Sequence, residues 1–98
     1  MTDRVSWTSK ARDSYNQNLD YLAQHWEEKV YSDFVSRVEF VINNIARNPN
    51  MYVLIDPNRS IYRCVVTKHI SLFYQIAGDV IFLIVFWNNF QEPEKLVF

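Results

Sequence analysis

The stretch from Ile61 to Trp87 constrains this chain most, because it contains three apolar segments separated by two short interruptions. The first segment, residues 61–67, is rich in the β-branched and aromatic residues that favour strands. The second segment, residues 69–76, alternates as a strand does. Its even positions form one apolar face: Ile70, Leu72, Tyr74 and Ile76.

A tight turn is predicted between the second and third segments. Gly78, the only glycine of the chain, precedes Asp79, and such a pair predicts a hairpin because glycine takes a positive φ without steric cost. The run from Val80 to Trp87 is apolar at every position, which predicts a central strand that is covered on both faces. The sequence therefore predicts a three-stranded antiparallel meander.

A short strand and two amphipathic helices are predicted before the meander. Residues 4–7 alternate between polar and apolar, and Thr8 or Ser9 supplies an N-cap for the first helix. That helix should end near Trp26, with an apolar stripe formed by Ala11, Tyr15, Leu19, Leu22 and Trp26. The second helix should end at Asn48-Pro49-Asn50, with a stripe formed by Val30, Phe34, Val38, Val41, Ile42 and Ile45.

The predicted order is therefore β-α-α-β-β-β. Two adjacent helices with a short link form an antiparallel hairpin, which predicts an α+β fold of two layers with the helix hairpin on one face of a mainly antiparallel, twisted sheet. Residues 52–55 are apolar enough for an additional short strand, which Pro57 would end. No repeat or linker interrupts the pattern, so we expect residues 1–98 to form a single domain.

Composition limits the classes of function. Hydrophobic residues make up 49% of the 98 residues, which excludes a disordered chain. The single cysteine, Cys64, permits no intramolecular disulfide, and no run resembles a signal peptide or a membrane span, so we expect a cytoplasmic protein. The net charge of −1 lacks the cationic excess of a typical nucleic-acid binder. No ligand spacing or glycine-rich loop predicts a metal or cofactor.

Five features, in this order along the chain, resemble the RelE/ParE family of toxins from bacterial type II toxin–antitoxin modules. They are a Trp-Thr-Ser-Lys-Ala opening at residues 7–11, a helix ending near Trp26, a second helix ending in Ile-Ala-Arg-Asn-Pro at residues 45–49, the stretch Tyr62–Ile76, and a final apolar strand that leads into Phe-Trp-Asn-Asn-Phe-Gln-Glu-Pro at residues 86–93. The resemblance implies that the first strand lies beside the last. It also implies a cognate antitoxin whose disordered segment folds around the toxin.

Members of this family act in two ways. Some cut mRNA in the ribosomal A site, and others poison DNA gyrase and cut nothing. The resemblance thus implies a growth-inhibiting toxin that forms a hetero-oligomer with its antitoxin and that, if it is an enzyme, is a ribosome-dependent endoribonuclease. The alternative is a catalytically inactive protein-interaction module on the same fold.

RNA cleavage needs a proton acceptor, a proton donor and cations that stabilise the phosphorane. The resemblance gives three candidate catalytic residues, Arg63, Lys68 and His69. Arg63 would bind a phosphate or an antitoxin carboxylate through a bidentate fork, or would form a structural salt bridge instead. Lys68 and His69 lie in the turn before the second meander strand, where His69 is either a general base or a solvated turn residue.

Four further residues are candidates for binding: Arg59, Tyr74, Trp87 and Asn88. Arg59 would extend a local basic patch, whereas the apolar alternation around Tyr74 favours a packing role. The chain departs from the cutting members of the family at residues 87–90, Trp-Asn-Asn-Phe, which offer no acid–base group. This departure weakens the nuclease interpretation. The apolar end at residues 96–98 either folds back or contacts a partner.

Overall fold

A computed structural model describes residues 4–89, 95, 96 and 98 of the chain. Its elements are β1 (Val5–Trp7), α1 (Ser9–His25), α2 (Glu28–Arg47), β2 (Val53–Asp56), β3 (Ile61–Val65), β4 (Ile70–Ala77) and β5 (Val80–Asn88). The predicted two-layer α+β class is confirmed. The order contains one strand more than the predicted β-α-α-β-β-β, because residues 53–56 do form the short additional strand that Pro57 follows.

The five strands form one sheet in the order β1-β5-β4-β3-β2. β1 runs parallel to β5, with Val5 opposite Ile81 and Trp7 opposite Leu83. The other three neighbouring pairs are antiparallel. β5 therefore lies between β1 and β4, which confirms its predicted central position and the implied pairing of the first strand with the last.

The turn between β4 and β5 is the predicted two-residue hairpin. Ala77 pairs with Val80 across it, and Gly78 adopts a φ of +59°, a conformation that strains residues with a Cβ atom. The Nε of Arg4 donates to the carbonyl oxygen of Asp79 at 3.1 Å. This bond fixes the turn beside the chain that leads into β1.

The core lies between the helix hairpin and one face of the sheet. From α2 it contains most of the predicted stripe, namely Phe34, Val38, Val41 and Ile45. From the sheet it contains Cys64, Leu72, Tyr74, Ile81, Leu83 and Phe86. Burial of each large apolar side chain contributes about 1.5–3 kcal/mol. The α1 stripe is confirmed at Ala11 and Leu22, but the prediction was wrong at Trp26, which follows the last residue of α1 and is 49% exposed.

Polar side chains of α1 and of its N-cap residue, Thr8, form hydrogen bonds with the outer edge of β5 where β1 ends. The Thr8 hydroxyl donates to the carbonyl oxygen of Leu83 at 2.7 Å. The Ser14 hydroxyl accepts from the N–H of Phe86 at 2.9 Å, and the Asn18 amide donates to the carbonyl oxygen of Phe86 at 3.1 Å. Because β1 has only three residues, these side chains satisfy backbone groups that would otherwise be buried without partners.

A β-bulge changes the faces of β5 midway along the strand. Phe73 pairs with Val85 whereas Tyr74 pairs with Leu83, so Ile84 is the extra residue. Phe86 consequently faces the helices together with Leu83. An uninterrupted apolar run contains no alternation from which the position of a bulge could be read.

We expect Asn18→Ala to lower the free energy of unfolding by about 1–3 kcal/mol, because the substitution leaves the buried carbonyl oxygen of Phe86 without its donor. Denaturation in urea, followed by circular dichroism, measures this change. The neighbouring exposed residue provides the control, since Gln17→Ala should change stability by no more than about 0.5 kcal/mol. Equal effects of the two substitutions would show that Asn18 does not stabilise the edge of β5.

Candidate functional site

The face of the sheet opposite the helices, here called the open face, carries Arg63. Arg63 pairs with Val53 on β2 and with Phe73 on β4, and Phe73 pairs in turn with Val85. These four residues form a cross-strand row, since paired residues lie on the same face. The side chain of Arg63 is exposed and makes no hydrogen bond or ion pair within the described part of the chain.

Phe98 folds back onto this row. Folding back was one of the two alternatives predicted for residues 96–98. Its ring centroid lies 5.0 Å from that of Phe73. The Nη2 of Arg59 donates to the carbonyl oxygen of Phe98 at 3.2 Å, and the Nη1 of Arg59 lies 4.0 Å from the Asp56 carboxylate. Arg59 therefore bonds groups of this chain as well as adding positive charge to the open face.

Lys68 and His69 lie in a different place, a groove between the helix hairpin and the β3–β4 turn. The groove encloses about 470 Å³, within the size range of ligand sites. Its buried floor is formed by Leu22, Phe34, Val66 and Ile70. Its remaining lining, which is half-buried or exposed, is formed by Tyr21, Trp26, Val30, Asp33, Arg37, Thr67, Lys68, His69 and Asn88. We call this set of residues the elbow groove.

The mouth of the elbow groove is cationic. The Nε of Arg37 donates to the carbonyl oxygen of Val66 at 3.1 Å, and its guanidinium lies 5.1 Å from the ring centroid of Phe40. Lys68 has no ion-pair partner among the described residues. The carboxylate of Asp33 is 3.1 Å from the ammonium of Lys29. The groove therefore has an excess of positive charge, because Arg37 and Lys68 line it and its acidic residue, Asp33, is already paired with Lys29.

The three candidate catalytic residues are not on one surface. Arg63 lies on the open face, whereas Lys68 and His69 line the elbow groove, which Arg63 does not line. Arg37 joins Lys68 and His69 in the groove, although its sequence position indicated only the polar face of a helix. No local pattern could have identified it, because the β3–β4 turn approaches α2 only in the tertiary structure.

Tyr74 is a buried packing residue on the helix side of the sheet. Its ring stacks on that of Tyr62 with centroids 5.3 Å apart, and its hydroxyl donates to the carbonyl oxygen of Pro49 at 2.7 Å. Burial raises the pKa of the Tyr74 phenol far above its ordinary value, and the neighbouring Cys64 raises it further. This geometry favours a packing role for Tyr74 over ligand binding. The apolar alternation of the sequence around Tyr74 indicated the same role.

Trp87 and Asn88 lie at the end of β5. Trp87 pairs with Ser71, and Asn88 pairs with Ile70. Both line a second cavity of about 620 Å³ beside α1, and Asn88 also lines the elbow groove. Within residues 4–89 and the described residues beyond them, no cluster of three or more His, Cys, Asp or Glu side chains could hold a metal ion, and no helix could cross a membrane.

Comparisons with known proteins agree with this architecture. A family model described as "ParE toxin of type II toxin-antitoxin system, parDE" matches residues 5–87. The chain is similar to the structure of a YoeB/ParE toxin from Agrobacterium tumefaciens, with 13% identity and a TM-score of 0.62 over 87% of this chain and 96% of that one. It is also similar to a YoeB-YefM complex from Staphylococcus aureus, with 15% identity and a TM-score of 0.55 over 84% and 91%. No curated protein matches the sequence.

We expect Tyr74→Phe to lower the free energy of unfolding at neutral pH by about 1–2 kcal/mol, because it removes the bond to Pro49. In the folded protein the pKa of the Tyr74 phenol is raised above its ordinary value of 10.0. As the pH rises, the phenol of the unfolded chain therefore loses its proton before the phenol of the folded protein does. The contribution of Tyr74 is therefore full below pH 10.0 and decreases above it. The stability of the unmodified protein should then fall more steeply than that of Tyr74→Phe in alkali.

Urea denaturation at a series of pH values from neutral to strongly alkaline measures both effects. The exposed Tyr21 supplies the control, since Tyr21→Phe should leave the stability at neutral pH unchanged. Parallel alkaline slopes for Tyr74→Phe and the unmodified protein would contradict the expected linkage.

Proposed function

Because the chain belongs to the ParE toxin family of type II toxin–antitoxin systems, we propose that it is the growth-inhibiting toxin of such a module and acts by binding DNA gyrase. A cognate antitoxin neutralises it by covering its exposed apolar surface. The fold shared with the YoeB-YefM complex supports this pairing, since a disordered antitoxin segment that folds on binding can wrap a toxin of this size.

We choose gyrase binding over RNA cleavage because the candidate cleavage groups lie on two separate surfaces of the structure. Cleavage requires a base, an acid and a cation within hydrogen-bond reach of one phosphodiester. Arg63 lies on the open face, away from the elbow groove that contains Lys68 and His69. Within the described residues, the end of β5 supplies Trp87 and Asn88, and neither side chain transfers protons at neutral pH. These features favour a toxin that binds its target without cutting RNA.

The elbow groove has the properties of a protein-binding surface. Trp26 is 49% exposed and Tyr21 is 40% exposed at its rim, above a floor of buried apolar side chains. Aromatic and arginine side chains contribute a large share of the binding energy at protein interfaces. Arg37 is held by Val66 and by the ring of Phe40, so little side-chain entropy remains to be lost when the guanidinium meets a partner. We therefore assign target binding to this groove.

A ribosome-dependent endoribonuclease is the second candidate, and one observation favours it. Lys68, His69 and Arg37 line the same cavity, and an imidazole with two cations is a set of groups from which RNA cleavage can be built. In that case the reaction would take place in the elbow groove, and Arg63 on the open face would not take part in it.

Expression of the chain alone in a bacterium should arrest growth, and co-expression of the adjacent reading frame should relieve the arrest. A gyrase poison should alter plasmid supercoiling and damage DNA, whereas primer extension on cellular mRNA should find no new ends at codon boundaries. New ends would favour the nuclease instead. Unimpaired growth at high soluble expression would indicate the inactive interaction module.

Two substitutions in the elbow groove separate binding from cleavage. Trp26→Ala removes an exposed aromatic contact, and we expect it to weaken toxicity by about tenfold or more. His69→Gln replaces the imidazole with a polar amide that cannot serve as a general base, and we expect toxicity to stay within about threefold of the unmodified protein. A nuclease would instead lose roughly 10²-fold or more of its activity with His69→Gln. Circular dichroism confirms that both variants fold.

A further inference from the structure

The two edges of the sheet differ in how their backbone groups are satisfied. On the β5 side, Thr8, Ser14 and Asn18 of the chain around α1 bond the strand beyond the end of β1. On the other side β2 is the last strand, and no further strand pairs with it in the described part of the chain. An unpaired edge of this kind is a template for another strand.

The residues at this edge are apolar and exposed. Met51 is 53% exposed, Val53 60%, Leu54 45% and Ile55 40%, and Val65 on the neighbouring strand is 50% exposed. No charged residue lies between Met51 and Ile55, although edge strands of soluble proteins usually carry charges that prevent association. Val53 and Leu54 point to opposite faces, as successive strand residues do. A strand added in the plane of the sheet would place its own side chains beside these residues on both faces.

We propose that β2 pairs with β2 of a second copy of this chain, antiparallel about a two-fold axis, to form one continuous ten-stranded sheet. A two-fold axis makes such an edge self-complementary, because each copy offers the same donors and acceptors to the other. The net charge of −1 leaves little electrostatic repulsion between two copies. The pairing requires neither the gyrase mechanism nor the nuclease mechanism.

The β-bulge of β2 selects the register of the pairing. Val53 pairs with Arg63 and Leu54 with Tyr62, but Asp56 pairs with Ile61, so Ile55 is the extra residue. Val53 and Asp56 consequently lie on the same face of β2, the open face. Val53 can then lie opposite Asp56 of the second copy, and Leu54 opposite Ile55 of the second copy, with the open faces of both sheets on one side.

This register brings opposite charges together across Val53. Arg63 flanks Val53 on one side, and Asp56 of the second copy would flank it on the other. Their Cα atoms would be two strand spacings apart, roughly 9.6 Å, which extended arginine and aspartate side chains can span. The side chain of Arg63 has no partner among the described residues. Oδ1 of Asp56 accepts from the N–H of Arg59 at 3.2 Å, but Oδ2 has only a 4.0 Å contact with the Arg59 guanidinium, so Oδ2 is the oxygen available to Arg63 of the second copy. The two-fold axis forms this ion pair twice.

The interface is small, so the dimer should be weak. The bulge and Pro57 confine regular pairing to Val53–Asp56, and interfaces well below about 1,200 Å² are typical of transient association. We therefore expect a dissociation constant in the micromolar range. At rising concentration the mass in solution should increase from 11.8 kDa towards twice that value.

Sedimentation equilibrium and light scattering across the micromolar range test the dimer on the full chain. Leu54→Lys places a charge in the centre of the paired strands and should weaken association by at least about tenfold. Phe40→Lys is the matched control, because Phe40 is 51% exposed on α2 and lies outside the proposed interface. A monomer at every concentration, or equal effects of the two substitutions, would overturn the proposal.

Charge reversal and amide exchange test the register. Arg63→Asp and Asp56→Lys should each weaken the dimer, and the double variant should recover most of the association. Amides of β2 should become protected from hydrogen exchange as the concentration rises. Dimerisation without this protection would assign the contact to another surface. Protection that appears only after the antitoxin is added would assign the edge to the antitoxin, and either result overturns the pairing with a second copy.

Discussion

The rest of the structure depends on the burial of β5. The strand has nine residues, but its parallel neighbour β1 has only three, so the outer backbone groups of its second half need other partners. Ser14 and Asn18 supply them from α1, since an unsatisfied buried carbonyl or N–H costs about 1–3 kcal/mol. These bonds fix the position of α1 along the sheet. The position of α2, which is joined to α1 by a short link, follows from them.

The placement of the helix hairpin in turn creates the elbow groove. The link between α1 and α2 brings Trp26 to the same end of the molecule as the β3–β4 turn. Arg37 then bonds the carbonyl oxygen of Val66, which connects the second helix to that turn. The polar contacts that hold α1 against β5 therefore also determine which side chains meet in the groove. A loss of these contacts would alter the candidate site without any substitution in the groove.

The sequence predicted the elements better than their interactions. The apolar run at residues 80–87 and the single glycine predicted the meander correctly, because strand burial and a positive φ leave direct marks in composition. The pairing of β1 with β5 came from the family resemblance, since periodicity does not report which strands are neighbours. Ser14 and Asn18 were not identified, because a polar residue within an amphipathic helix does not reveal a backbone partner about seventy residues away. Arg37 was missed for the same reason.

Strand alternation explains why the basic residues form two surfaces. Arg63 and Cys64 are successive residues of β3, so they point to opposite faces of the sheet. Cys64 is buried against the helices, and Arg63 must therefore lie on the open face. Lys68 and His69 follow the end of β3 and escape this constraint, because the turn can carry them around to the helix side. Moving Arg63 to the side of the elbow groove would need a register change in β3, which would expose Cys64 and place Arg63 in the core. Burial of a charged group without a partner makes that arrangement strongly unfavourable, so the apolar core keeps Arg63 on the face away from the groove.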